Sequence, residues 1–151
     1  MYYVLSPEVP GELGPATEVE LATYPPRVTR LAISMQDWLG DDLMTTFPCL
    51  YATRPLADAL EDAGLSGFVS AEMQVTKGSE WLQWDPERCL PDLVWLQIVG
   101  VGRQDDFGTA TLPTNGGQAC EFVVSDRAMV VLQRFRLAHC EIQPFRPDSG
   151  R

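Results

Sequence analysis

The chain is poor in the residues on which most small catalytic and metal sites are built. It has one histidine, His139, and one lysine, Lys77. Its four cysteines, Cys49, Cys89, Cys120 and Cys140, stand far apart with no CxxC pair. A zinc centre draws on clustered Cys and His, so no metal ligand set and no cofactor are expected. A disulfide framework belongs to shorter secreted chains, and Cys49, Cys120 and Cys140 sit beside strand-like apolar residues as small hydrophobes do. A phosphate loop needs its lysine after the glycines, whereas Gly78 follows Lys77. Gly100-Val101-Gly102 lacks the third glycine and the helix start of a dinucleotide fingerprint. No apolar run approaches the roughly 20 residues of a membrane span. The opening residues, Met1 to Pro7, carry no basic residue and no long apolar stretch, unlike a secretory or transit peptide. A cytoplasmic location is the expectation.

What the chain does have is acid. Its 151 residues carry a formal net charge of −10. Nucleic-acid binding rests on Lys and Arg neutralising phosphates, and anionic membrane surfaces select for the same charges, so neither partner is expected. Residues 1–75 hold 3 basic and 11 acidic residues, while 76–151 hold 8 and 10. Such a field keeps a protein soluble, and it also steers a basic protein partner.

Length fits one domain over 1–151, and an apolar fraction of 45% suffices for a continuous core. Tyr2 to Leu5 reads as a first strand. Residues 7–26, with five prolines and two glycines, read as a surface loop containing a short edge strand at Val19 to Leu21. Val28 to Met35 alternates as a strand does, and Leu93 to Val101 is a near-continuous apolar run suited to a central strand covered on both faces. Residues 78–91 look irregular. Asn115-Gly116 signals a turn, and 146–151 form a C-terminal tail.

A weak internal echo appears at an offset of 72 residues: Thr53 matches Ser125, Leu60 matches Leu132 and Leu65 matches Leu137. Thr53 and Ser125 are N-cap residue types at the start of two apolar stripes. The stripes are Leu56, Ala59, Leu60, Ala63 and Ala128, Val131, Leu132, Phe135, spaced as one face of a helix. Gly64 suits a C′ glycine. A strand-like stretch follows each helix, at Phe68 to Val75 and Cys140 to Phe145. These readings predict an α+β fold with a mixed or mostly antiparallel sheet, two main helices and a pseudo-repeat of strand–helix–strand units.

Candidate chemistry is sparse. His139 and Cys140 are adjacent on a strand-like stretch and so point to opposite faces, which does not make a dyad. The doublets Asp41-Asp42 and Asp105-Asp106 offer paired carboxylates, yet both lie in turn-like segments near Gly, where Asp serves the turn. Asp58, Glu61 and Asp62 oppose the dipole of the first helix, as residues of a solvated face or of a binding surface. The second helix carries Asp126 at its start and Arg134 and Arg136 near its end, in keeping with its dipole. Trp95 reads as core. Trp81 and Trp84 read as residues covering the core, and Trp38, among Asp37, Asp41 and Asp42, reads as an exposed anchor.

The opening Tyr2-Tyr3-Val4-Leu5-Ser6 and the closing Phe122-Val123-Val124-Ser125-Asp126-Arg127-Ala128, with Val131-Leu132 and Leu137 after it, resemble bacterial immunity proteins of polymorphic toxin systems, related to the double-CXXCG group. The chain has no CXXCG motif, so no zinc site is carried over. The resemblance implies a non-catalytic protein that neutralises a basic toxin domain by binding it. The expected surface, from charge and aromatic placement, is Asp37, Trp38, Asp41, Asp42, Asp58, Glu61 and Asp62, with Asp105, Asp106 and Phe107 as secondary candidates. Two other readings stand beside it. One is a small enzyme or biosynthetic accessory protein using His139, Cys140, Asp105 and Asp106. The other is a domain that self-associates into a homo-oligomer through an edge strand.

Overall fold

The computed structural model describes residues 1–114 and 117–145. The Asn115-Gly116 turn signal and the 146–151 tail lie outside the described residues. The elements in chain order are β1 (Tyr2–Ser6), β2 (Gly11–Leu13), β3 (Glu18–Glu20), β4 (Arg27–Arg30), β5 (Ala32–Met35), β6 (Leu43–Thr46), β7 (Cys49–Thr53), α1 (Arg54–Asp62), β8 (Phe68–Ala71), β9 (Gln74–Lys77), α2 (Ser79–Trp84), β10 (Leu93–Ile98), β11 (Phe107–Thr114), β12 (Gly117–Ser125), α3 (Asp126–Leu132) and β13 (Glu141–Pro144). The fold is α+β. Its strands pair antiparallel except for β5 with β9. No helix among the described residues is long and apolar enough to cross a membrane.

Two four-stranded sheets, ordered β6-β7-β10-β8 and β11-β12-β1-β13, carry the internal echo. In each, a hairpin leads into a helix, the chain returns as an edge strand, and a strand from elsewhere fills the gap between. That filler is β10 in the first sheet and β1 in the second. The register repeats position for position. Tyr51 and Ala71 flank Trp95 on the two sides of β10, while Val123 and Gln143, each 72 positions further on, flank Val4 on the two sides of β1. Leu43 faces Ala52 in the first hairpin as Phe107 faces Val124 in the second.

Both helices lie over one shared core. Leu56, Leu60, Ala128 and Leu132 pack there with Leu50 and Leu96 of the first sheet and Leu5, Phe107 and Val124 of the second. Proline at the start of α1 costs no hydrogen bond, because the first amides of a helix have no partner within it. Gly64 ends α1 with φ of 66°, a left-handed conformation that a Cβ would strain. Ser125 caps α3 as its residue type suggests, its Oγ accepting from the Ala128 amide at 3.2 Å. Thr53 does not cap α1, and its hydroxyl donates to Asp42 instead. Helix α3 stops at Leu132, so Phe135 packs on the core from the following turn and Arg134 and Arg136 lie past the last helical turn.

The opposite face of the first sheet is also covered. Leu31, with Ile33 and Met35 of β5 and Trp81 of α2, packs on Met44, Tyr51 and Trp95. This explains the apolar run of β10, which is buried on both sides. It also corrects two expectations. Beyond the expected edge strand, seen as β3 paired with β4, the Pro/Gly-rich stretch 7–26 also supplies β2, because β5 is there to pair with it. Residues 79–84 form a short helix, because Trp81 must be aimed at the core, where it is 2% exposed.

Candidate functional site

The two aspartate doublets are structural counterparts. The Thr53 amide donates to the Asp42 carbonyl and the Ser125 amide to the Asp106 carbonyl, each at 2.9 Å. The Thr53 hydroxyl donates to Asp42 Oδ1 at 2.8 Å and the Ser125 hydroxyl to Asp106 Oδ1 at 2.6 Å. The remaining oxygens cross over between the halves. Asp42 Oδ2 accepts from the Arg136 amide, after α3, at 2.8 Å, and Asp106 Oδ2 accepts from the Ser66 amide, after α1, at 3.0 Å. Each half's acid thus holds the chain leaving the other half's helix. Burial pushes the Asp106 carboxyl up, but the Ser125 and Ser66 bonds and the nearby Arg127 outweigh it and leave it below the ordinary carboxylate value.

This placement removes several expected surface residues from the surface. Asp41 is fully buried, Asp106 is 8% exposed and Phe107 is 1% exposed in the shared core. Asp42 and Asp105 are half-buried and turned to backbone amides, Asp105 to that of Val101. Phe107 and Asp106 belong to the packing because β11 starts there. Asp37, Asp58, Glu61 and Asp62 are exposed, the last three on the outer side of α1. Trp38 is not an open anchor. Its indole N–H donates to the Asp41 carbonyl, and the Arg88 guanidinium lies over both its ring and that of Trp81, 5.3 and 5.0 Å from the centroids.

The exposed tryptophan is Trp84, at the end of α2, with 77% of its surface free. It lines a cleft of about 200 Å³ with Asp37, Glu80, Trp81, Asp85 and Arg88. A neighbouring cleft of about 410 Å³ shares Gln36, Asp37 and Glu80 and adds Glu12, Ser79 and residues 9–11. Together they present four carboxylates, from Glu12, Asp37, Glu80 and Asp85, against one guanidinium, and Arg88 is already engaged by two rings and the Trp38 carbonyl. Gln36 fixes the floor, donating to Glu12 and accepting from the Glu80 amide at 2.8 Å. Gly78 permits this, since a Cβ there would run into the Gln36 amide group. Sequence reasoning reached Asp37 but missed Trp84, because a tryptophan one turn from the core residue Trp81 carries no mark of its own exposure. None of the α1 acids lines this cleft.

A larger cleft of about 570 Å³ runs between the two main sheets, lined by Cys49, Trp95, Ile98, Cys120 and Phe122 and roofed by residues 25–29. Among the described residues its only charged lining residue is Arg27, which carries no charge complementary to a basic partner. The residues of the enzyme reading do not converge. His139 pairs with Asp41, Asp106 is held by Ser66 and Ser125, and burial pushes the Cys140 thiol up to about 11, away from the thiolate. Cys49 is likewise pushed up to about 12 by burial. All four cysteines are free. Comparison of the chain with protein families, with curated proteins and with solved structures finds no match.

Proposed function

We propose that this chain is a non-catalytic protein-binding module that occludes a basic partner through the acidic cleft beside α2, in the manner of an immunity protein neutralising a toxin domain. The observation that carries the reading is Trp84, 77% exposed at the rim of a cleft lined by four carboxylates. A large aromatic left in water costs solubility unless it is covered in use, and tryptophan is the side chain most enriched among binding anchors. The surrounding acids would raise the association rate for a lysine- and arginine-rich surface, and this steering weakens as salt screens it. The expected toxin-binding surface is therefore Trp84 with Glu12, Asp37, Glu80 and Asp85, and not the buried Asp41.

The test is capture of partner from cell extract by the tagged protein, washed at rising salt, with Trp84→Ala and Glu80→Gln/Asp85→Asn run in parallel. A stoichiometric basic protein should be retained at low salt and lost at high salt. Trp84→Ala should lower affinity at least ~30-fold, the size of a hot-spot truncation, and leave thermal stability unchanged. Capture that ignores both salt and Trp84 would remove this site.

A further inference from the structure

Three segments that are remote in sequence bring ligand-type side chains to one point. Glu8 follows β1, Asp41 precedes β6, and His139 precedes β13. One ligand atom from each lies within 4.8 Å of the other two. Glu8 is 5% exposed and Asp41 is not exposed at all, whereas the His139 side chain is 40% exposed and opens the cluster to solvent.

Both carboxylates are pre-oriented by backbone. Glu8 accepts from the amides of Leu39 at 2.6 Å and Asp41 at 3.2 Å. Asp41 Oδ2 accepts from the His139 amide at 2.7 Å, and its Oδ1 lies 3.1 Å from His139 Nδ1. Carboxylate oxygens keep a second lone pair after one such bond, so these amides orient the donors without exhausting them. Bonds of about 2.0–2.1 Å to a first-row divalent ion place neighbouring ligand atoms roughly 3.0–3.4 Å apart, which the Asp41–His139 separation already matches.

The charge is also incomplete. Two buried carboxylates face one another, and among the described residues no basic side chain forms an ion pair with Glu8. Arg136 forms an ion pair with Asp41, at 3.7 Å, from a side chain that is 58% exposed. A cation held between the two buried carboxylates would compensate their like charge.

We propose that Glu8, Asp41 and His139 form a binding site for a divalent first-row transition ion, with two carboxylates and one imidazole as protein ligands and the solvent side left for water. One imidazole with two carboxylates suits ions of the Zn²⁺, Co²⁺ and Mn²⁺ type and not a soft ion such as Cu(I). The ion fastens the segment after β1, the loop before β6 and the turn before β13 to one another, so its role is structural.

The experiment is calorimetric titration of the reduced protein with Zn²⁺, repeated on His139→Ala and Glu8→Gln, with Co²⁺ absorption as a second reading. The expected result is a 1:1 isotherm, a higher Tm with metal, and at least ~10-fold weaker binding in each variant, the lower end of what even outer-shell losses cost. The Co²⁺ spectrum should lack a thiolate charge-transfer band. Because the His139 side chain is part-exposed, His139→Ala keeps the test meaningful if Glu8→Gln fails to fold. No binding, binding equal in wild type and His139→Ala, or a thiolate band abolished by Cys89→Ser would overturn the site.

Discussion

Asp106→Ala is expected to destabilise the protein by about 3 kcal/mol, on the scale of hydrogen bonds to a charged group together with the donors left unpaired. In a chain of this length that lowers Tm by roughly 6–12 °C. The substitution strips the Ser125 hydroxyl and the Ser66 amide of their acceptor in a place that is 8% exposed. It also frees the Ser125 side chain that caps α3. The loss is felt in both halves at once, since Ser66 follows α1 and Ser125 precedes α3. pH provides the check. The Asp106 carboxyl sits below its ordinary value of 3.8 when folded, so its contribution is fully present above that value and is lost as pH falls through the lower folded one. The stability gap between wild type and Asp106→Ala, measured by urea denaturation, should be constant near neutrality and narrow only below about pH 4. A gap that stays constant down to pH 2.5 would mean the side chain acts through packing and not as a carboxylate.

The features legible in the sequence are those built from neighbours. The two main helices are announced by Thr53 and Ser125, by apolar stripes and by Gly64, all within a few residues of the elements they define. The offset of 72 residues survives as strand register because Thr53 and Ser125 occupy the same place beside β10 and β1. What stayed hidden depends on partners far along the chain. An Asp-Asp doublet near glycine looks like turn chemistry or a charged surface. Only the fold shows that Asp42 answers to an amide 94 positions away and Asp41 to one 98 positions away. Strand β2 was unreadable for the same reason, since proline and glycine mask a short strand whose place is set by β5, whereas β3 falls within a residue of the edge strand read at Val19 to Leu21. Exposure is equally non-local. Trp81 and Trp84 stand three residues apart on a six-residue helix, and one is 2% and the other 77% exposed.

Leu132→Ala should lower stability by about 2–5 kcal/mol, the range for emptying a well-packed core position, and Leu60→Ala should do the same. The two residues are 72 positions apart, both are fully buried, and both sit in the cluster where α1 and α3 lie over the two main sheets. The consequence concerns cooperativity as much as magnitude. All four tryptophans fall between Trp38 and Trp95, none of them in the second sheet or in α3. If the halves share one core, their fluorescence reports loss of the second half as faithfully as loss of the first. Leu132→Ala must then shift the fluorescence midpoint in urea by as much as it shifts the circular-dichroism midpoint, with coincident curves. If the halves unfold separately, Leu132→Ala leaves the fluorescence midpoint in place while Leu60→Ala moves it. The double substitution sharpens the contrast. Cavities that open into one core relax together, so the combined loss should depart from the sum of the two by about 0.5–3 kcal/mol. Independent halves would give simple addition. The crossed acids Asp42 and Asp106, each holding the chain that leaves the opposite helix, favour the first outcome.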